Sequence, residues 1–270
     1  MTLTILKLGG SVLTGLDAYE RAATVLRAEL EGDRSGRTRF VVVVSAQFGA
    51  TDQDLALARS IAGDPDPRAL DLLWSTGELR SVALLTLALQ HQGIAAIGLN
   101  VHETGLGPGA FDPSHVKAAL IDHPIVVVPG FLARGDGNRV VTLGRGGSDL
   151  TAVTLAIGLD AARCELVKDV PGYFSEDPTI SVHAQRLPAL THAEALAKES
   201  AGCGLVQRAA IEAAARADLP LIVRSLDSSN GHTVLGATYK RPHDVKTAVT
   251  TSAPSESEAW QAVGVGPHGT

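Results

Sequence analysis

Residues 140–152 read Val-Val-Thr-Leu-Gly-Arg-Gly-Gly-Ser-Asp-Leu-Thr-Ala, a β-branched run that leads through glycines into an apolar segment. The β-branched residues 140–142 favour a strand, and the apolar spacing from Leu150 onwards favours a helix. Ser148 or Asp149 is expected to cap that helix. A strand, a glycine turn and a helix N-terminus together present free backbone N–H groups and a positive dipole end, which suit a phosphate or a carboxylate.

Two charged side chains add to this interpretation. Arg145 lies within the turn and offers a forked cation that suits a carboxylate, and Asp149 adds a carboxylate at the same mouth. A glycine-rich turn that only connects two elements has the same composition. Features elsewhere in the chain are therefore needed to distinguish a ligand-binding turn from a turn that only connects a strand to a helix.

The composition excludes several classes of function. Hydrophobic residues make up 45% of the 270 and aromatic residues only 4%, which predicts a core built from Val, Leu, Ile and Ala. A formal net charge of -6 argues against a nucleic-acid partner. No apolar run approaches the ~20 residues of a membrane span, and the N-terminus reads as a strand rather than a signal peptide. Cys164 and Cys203 lack zinc spacing, which favours free thiols and a cytoplasmic location.

Expected strands and helices alternate along the chain. Such alternation predicts an α/β fold, a three-layer sandwich around a mainly parallel sheet. The expected strands are short apolar runs, at residues 2–8, 40–44, 94–99, 124–129, 164–169 and 219–224. One of the helices between them is expected to run from about residue 79 to residue 92, with Glu78 near its first turn.

Candidate ligand-binding side chains are expected just after strands. They are Lys7, Ser45, Glu78, residues 145–149 and Asp169. Lys7 stands two residues before Gly9 and Gly10, an arrangement better explained by a phosphate clamp than by a solvated lysine. Because open parallel sheets bind ligands at the carboxyl ends of their strands, we expect these groups to converge on one crevice.

Several motifs occur in a characteristic order: Lys7-Leu-Gly-Gly-Ser11, Ser75-Thr-Gly-Glu78, Gly144-Arg-Gly-Gly-Ser-Asp149, Lys168-Asp-Val-Pro-Gly172 and Asp177-Pro178. Together they resemble the amino-acid kinase family and, within it, the catalytic domain of the aspartokinases. The opening motif is shared widely among amino-acid kinases. The combination of Ser-Thr-Gly-Glu with Gly-Arg-Gly-Gly-Ser-Asp is more particular to the aspartokinases.

The resemblance implies a reaction. The γ-phosphoryl group of ATP would pass directly to the β-carboxylate of L-aspartate, giving 4-phospho-L-aspartate without a covalent enzyme intermediate. The protein would mainly position two anions and neutralise their charge. ATP would be the co-substrate, and Mg²⁺ would be held through the nucleotide phosphates rather than by direct protein ligands.

The resemblance also assigns roles to residues of this chain. Lys7 and Asp149 would be catalytic. The residues implied to bind the amino acid are Ser45, Glu78, Arg145, Gly146, Gly147 and Ser148. Those implied to bind phosphate and nucleotide are Gly9, Gly10, Ser11, Lys168, Asp169, Tyr173, Ser175 and Asp177.

The expected domain organisation is one catalytic domain over residues 1–242, followed by a polar, flexible tail over residues 243–270. Within the domain, the substrate-binding part would extend to about residue 160 and the nucleotide-binding part would follow it. The tail has neither the length nor the strand pattern of the ACT domains, the small ligand-sensing modules that usually follow in aspartokinases. A homodimer formed through the catalytic domain is therefore expected, with no membrane and no nucleic acid among its partners.

Departures from the aspartokinase pattern leave alternatives open. Leu79, Thr179 and Gly204 stand where the pattern has arginine, arginine and lysine. One alternative is the same fold acting on another carboxylate or on a phosphate. Another is a non-catalytic, amino-acid-binding regulatory subunit that has lost nucleotide turnover.

Overall fold

An eight-stranded sheet forms the centre of the fold in the computed structural model, which describes residues 1–107, 111–144, 146–227, 229 and 231–236. From edge to edge its strands are β3 (Ala96–Gly98), β4 (Ile125–Pro129), β2 (Thr38–Val44), β1 (Thr2–Leu8), β7 (Arg163–Lys168), β9 (Leu221–Ser225), β10 (His232–Leu235) and β8 (Ala189–Leu190). Neighbouring strands pair in parallel except β9 and β10, which are antiparallel. The expected mainly parallel sheet is confirmed, and the predicted tail lies outside the described residues.

Helices cover both faces of this sheet. They are α1 (Leu16–Gly32), α2 (Ala50–Ile61), α3 (Pro67–His91), α4 (Ser114–Asp122), α5 (Gly147–Gly158), α6 (His192–Ser200) and α7 (Arg208–Arg216). The inner faces of α1 and α3 contribute to one hydrophobic cluster, and those of α4 to α7 contribute to the other. The helices therefore form the two outer layers of the predicted sandwich.

The apolar strands supply both clusters because successive side chains point to opposite faces. In β1, Ile5 joins the cluster under α5 and Leu6 joins the cluster under α1. In β2, Val43 and Val42 divide in the same way. Continuous apolar runs such as these are what a sheet covered on both faces requires.

The strand that opens the glycine-rich stretch lies outside the main sheet. Val140–Thr142 is β6, as predicted, but it pairs antiparallel with β5 (Leu132–Arg134) in a separate hairpin. The expectation that residues 145–149 follow a strand of the parallel sheet is therefore wrong. The glycine turn therefore follows this hairpin and leads directly into α5.

α3 is much longer than expected. It begins at Pro67, after Asp66 Oδ1 accepts hydrogen bonds from the N–H groups of Arg68 and Ala69. Glu78 thus lies in the middle of the helix, and its placement near a first turn just after a strand is wrong. Glycine suits position 77 of this helix because a Cβ atom there would lie only 3.0 Å from Ala46 Cβ.

By length and composition alone, α3 would also qualify as a membrane span, although the sequence was expected to contain none. Core helices of water-soluble domains satisfy the same criterion, so the criterion is weak evidence. In this fold α3 packs Val82, Leu85 and Leu89 into the cluster that it shares with α1. Packing against the sheet accounts for the apolar character of its inner face.

Candidate active site

Two lysines from neighbouring strands meet on one buried carboxylate. Lys7 lies near the end of β1 and Lys168 at the end of β7, and these two strands pair in parallel. Asp149 comes from the first turn of α5. Its Oδ1 lies 3.0 Å from Lys7 Nζ, and its Oδ2 lies 2.8 Å from Lys168 Nζ. The structure therefore brings together Lys7 and Asp149, which the sequence assigned to one crevice, and adds Lys168, which the resemblance assigned to the nucleotide.

The charges of this cluster are largely withdrawn from water. The side chains of Lys7, Asp149 and Lys168 are 8%, 3% and 11% exposed. Burial alone would raise the pKa of Asp149, but the charges and hydrogen bonds of the two lysines outweigh burial and hold that pKa well below its ordinary value. Two ammonium groups around one ionised carboxylate give the cluster a net positive charge, which favours binding of an anion.

The turn after β1 brings backbone close to the cluster. A Cβ atom at Gly9 would lie 3.3 Å from Lys7 Nζ, and one at Gly10 would lie 3.0 Å from a carbonyl oxygen of the loop after β2. Ser11 Oγ donates a hydrogen bond to Asp169 Oδ1 over 3.2 Å, which ties this turn to the segment after β7. The glycines thus leave room beside the lysine where a larger side chain would crowd it.

α5 begins without a side-chain cap. Its N-cap residue, Gly146, has a φ of 76°, and no side chain forms a capping hydrogen bond. The expectation that Ser148 or Asp149 caps the helix is wrong, because both have other partners. Ser148 Oγ lies 3.0 Å from Ser45 Oγ, and Asp149 binds the lysines. The positive end of the helix dipole therefore lies beside the two hydroxyls, and Arg145 lies outside the described residues.

The glycine turn packs against an aromatic residue. A Cβ atom at Gly147 would lie 2.8 Å from Leu143 Cβ and 3.2 Å from Phe131 Cδ2, so a side chain does not fit there. Phe131 itself has a φ of 64°, a left-handed conformation that is rare for a bulky residue. Strain of this kind persists only where the surroundings impose it, and it clusters at ligand sites.

Glu78 is a second buried ionisable group in the crevice. The residue is only 3% exposed, and its Oε2 has no hydrogen-bond partner among the described residues. Burial raises the pKa of Glu78 to about 8, although a hydrogen bond from the Ala46 backbone and the charge of Lys7 both act to lower it. A buried, unpartnered carboxylate oxygen is costly for a folded protein unless a ligand satisfies it. An ammonium group is the ligand that this oxygen fits.

The residues predicted to line a nucleotide pocket after β7 have different environments. Tyr173 packs in the core, and its hydroxyl donates to Glu199 Oε1 over 2.7 Å. Its ring is therefore a core element in this structure. Ser175 and Asp177 lie on the surface, where Ser175 Oγ accepts from a backbone N–H and Asp177 accepts from the turn that follows it. Their predicted role in binding nucleotide stays a prediction.

The sequence analysis missed two contacts that α3 makes around the site. Asp71 Oδ1 accepts hydrogen bonds from the backbone N–H and the hydroxyl of Thr142, over 3.2 and 2.8 Å. Trp74 Nε1 donates to the carbonyl oxygen of Thr51 over 3.1 Å. Asp71, Trp74 and Glu78 follow the i, i+3, i+7 spacing of one helix face. That signal becomes visible once α3 is recognised as a single helix.

Comparison with known proteins gives the family. The model of the amino acid kinase family matches residues 2–225. The chain therefore belongs to the amino acid kinase family, which agrees with its parallel sheet and with the lysine-rich crevice at the ends of β1 and β7.

Among relatives, the chain is similar to aspartokinases. Aspartokinase 2 of Bacillus subtilis (strain 168) is 34% identical over 244 residues, 87% of this chain and 59% of that relative. The aspartokinase of Mycolicibacterium smegmatis is 36% identical over 245 residues, 87% of this chain and 57% of that relative. The chain thus spans little more than half the length of these two relatives.

Solved aspartate kinases also share the fold. The aspartate kinase from Synechocystis superposes with a TM-score of 0.78 at 34% identity, over 89% of this chain and 41% of that one. Aspartokinase III of E. coli, in complex with aspartate and ADP, superposes with a TM-score of 0.75 at 25% identity, over 89% of this chain and 66% of that one.

Proposed function

We propose that this chain transfers the γ-phosphoryl group of ATP to the β-carboxylate of L-aspartate, which yields 4-phospho-L-aspartate and ADP. The observation that carries the proposal is the buried, positively charged cluster of Lys7, Asp149 and Lys168. The unpartnered oxygen of Glu78 adds a site for an amino group. Support comes from the aspartokinases among the relatives and from a solved relative that holds aspartate and ADP.

In this mechanism the two lysines hold the transferring phosphoryl group and neutralise its charge. An oxygen of the β-carboxylate attacks the γ-phosphorus, and the bond from that phosphorus to the bridging oxygen breaks. Both electrons of that bond leave with ADP. The attacking carboxylate is already ionised, so no general base is required. Asp149 keeps Lys7 and Lys168 aligned in the crevice.

The amino acid is held by groups of opposite charge. Glu78 takes the α-ammonium group. Ser45 and Ser148, together with the backbone of Gly146 and Gly147, bind carboxylate oxygens at the start of α5. Arg145 is assigned the forked contact to a carboxylate from its place in the motif. This arrangement favours an amino acid over a phosphate substrate, because a phosphate offers nothing to Glu78.

The nucleotide is assigned to the other side of the cluster, where Gly9, Gly10, Ser11 and Asp169 approach the phosphates. Within the described part of the chain, no group of three or more His, Cys, Asp or Glu side chains is arranged to hold a metal ion. From the resemblance, we assign Mg²⁺ to the phosphates of the nucleotide rather than to direct protein ligands. When bound, the ion supplies additional neutralisation of phosphate charge.

The assembly that we propose is a homodimer formed through the catalytic domain, residues 1–242. Leu72 and Leu87 on α3 are each 61% exposed, and Leu79 between them is 36% exposed. Their spacing places them on one stripe of the helix, away from the face that carries Glu78. Such a stripe suits the two-fold, self-complementary contact that is commonest among homodimers.

We also propose a cytoplasmic location. Its support is that Cys164 and Cys203 are both free thiols, one buried and one exposed. Exposed thiols persist in a reducing compartment.

ATP-dependent hydroxamate formation tests the proposed function. The purified chain is incubated with ATP, Mg²⁺ and hydroxylamine, which traps an acyl phosphate, and with aspartate, N-acetylglutamate or buffer alone. The expected result is product with aspartate and none in the other two reactions. Product with N-acetylglutamate alone would indicate a different carboxylate substrate. Binding of aspartate without product would favour a regulatory subunit.

A further inference from the structure

We propose that Trp74 is a positioning residue for the amino-acid substrate. Its side chain holds the first turn of α2 and the turn at Phe131 against α3. The inference rests on the proposed function and adds to it a residue outside the motifs. Trp74 acts through its neighbours, because its contacts are with Thr51 and Phe131.

The need for such a residue comes from the weak packing of α2. None of its 12 residues is buried, and its N-cap, Gly49, contributes no side-chain hydrogen bond. Apolar packing supplies most of the stability of helices in proteins. The position of the first turn of α2 therefore depends on a few specific contacts, and the bond from Trp74 Nε1 to the Thr51 carbonyl oxygen, 3.1 Å long, is one of them.

The indole ring makes a second contact on the opposite segment. Its centroid lies 6.1 Å from that of Phe131, with an angle of 60° between the ring planes. This is the edge-to-face arrangement that aromatic pairs prefer. Phe131 in turn lies against Gly147, where a Cβ atom would come within 3.2 Å of its ring. Trp74 thus connects α2 to the turn that supports the start of α5.

The segments that Trp74 connects surround the proposed amino-acid site. Glu78 lies four residues further along α3, on the same side of the helix. Glu78 also accepts a hydrogen bond from the backbone of Ala46, just before α2. A displaced α2 would therefore disturb the surroundings of Glu78. The lysines belong to other elements, β1 and β7, and should keep their positions.

Trp74→Phe is the variant that tests this role, because it keeps an aromatic ring and removes the indole N–H. We expect KM for aspartate to rise about three- to tenfold, the range for loss of one neutral hydrogen bond. KM for ATP and kcat should change little. Trp260→Phe, the same chemical change at the other tryptophan, is the matched control. An unchanged KM for aspartate in Trp74→Phe would overturn the proposal.

Two further readouts do not depend on turnover. Backbone amides of α2 should exchange hydrogen faster in Trp74→Phe than in the control, while those of α5 stay unchanged. In Trp260→Phe, where Trp74 is the single tryptophan, emission should change saturably when aspartate is added. Equal exchange in both variants would overturn the role of Trp74, and so would unchanged tryptophan emission in a protein that forms hydroxamate with aspartate. A wild-type chain that forms no hydroxamate would refute the proposed function, and the hydrogen-exchange comparison would still judge the contact that Trp74 makes with α2.

Discussion

At the scale of single residues, Asp149 determines how the lysines of the crevice are arranged. Its carboxylate lies 3.0 Å from Lys7 Nζ and 2.8 Å from Lys168 Nζ. Without it, two buried ammonium groups would face each other with no charge between them. The lysines would then separate, and the proposed phosphoryl-transfer site would lose their alignment.

Asp149→Asn is therefore expected to lower kcat strongly. Loss of a charge-assisted contact costs about 1.5–3 kcal/mol, which corresponds to roughly one to two decades in rate. Steady-state kinetics measures the change, and circular dichroism checks that the variant is folded. Asp227→Asn is the control, because Asp227 accepts a hydrogen bond from Ser229 on the surface. A folded Asp149→Asn protein with wild-type kcat would contradict the role given to this carboxylate.

Under the proposed function, Glu78 should couple the binding of aspartate to the release of a proton. With a pKa raised to about 8 by burial, the carboxyl is mostly protonated in the free protein at neutral pH. An incoming ammonium group favours the ionised form. We expect calorimetry in buffers of different ionisation enthalpy to show proton release near pH 7, and Glu78→Gln to abolish it while raising KM for aspartate. Equal proton release in both proteins would refute this assignment.

The same pKa has a consequence for stability with a definite sign. The unfolded chain ionises Glu78 around its ordinary value of 4.5, whereas the folded protein holds the proton up to about 8. The free energy of unfolding should therefore fall across this window as pH rises. Glu78→Gln should lose this contribution, so urea unfolding of the two proteins should diverge between these pH values and not below them.

At the scale of elements, α3 organises the side of the crevice that is proposed to bind the amino acid. One face carries Asp71, Trp74 and Glu78, and the opposite side exposes Leu72 and Leu87. A helix with two such faces can build a site on one side and an interface on the other.

The exposed stripe of α3 gives a prediction about assembly. Leu72→Asp combined with Leu87→Asp should convert the proposed homodimer to a monomer, because burial of one such side chain is worth about 1.5–3 kcal/mol and a two-fold contact buries each twice. Light scattering should report half the mass of the wild type. Ile121→Asp is the control, since Ile121 is 76% exposed on α4. A wild-type protein that is already monomeric would contradict the assembly.

The elements also show where sequence reasoning succeeded and failed. Strands such as β2 were predictable, because a short run rich in β-branched valines favours a strand that is covered on both faces. The predicted α3 was too short because Gly77 disfavours a helix. The packing on Ala46 that explains this glycine is a tertiary contact, which the sequence does not show. The hydrogen bond between Ser148 and Ser45 was missed for a similar reason: Ser45 lies far away in sequence, so the local capping pattern gave a wrong answer.

At the scale of the whole molecule, buried charges also join the sheet to its outer layer away from the crevice. Arg224 Nε lies 2.6 Å from Glu165 Oε2, and its Nη2 lies 2.8 Å from Glu29 Oε1. These residues come from β9, β7 and α1. The side chains of Arg224 and Glu165 are 6% and 7% exposed.

Arg224→Met should lower the free energy of unfolding by about 3–5 kcal/mol, because it leaves a buried carboxylate without its cation. Arg163→Met is the matched control. Arg163 lies 3.7 Å from the same Glu165, but its side chain is 60% exposed, so its loss should cost about 0–1 kcal/mol. Urea unfolding measures both variants, and equal destabilisation would contradict the importance of burial.

The seam between β1 and β7 has a practical consequence. Lys7 and Asp149 precede the connection between α5 and β7, and Lys168 follows it. Under the proposed function, a chain divided at that connection should yield two inactive halves, since neither holds both lysines. Activity should return only where the halves reunite, so halves fused to two other proteins would report the proximity of those proteins.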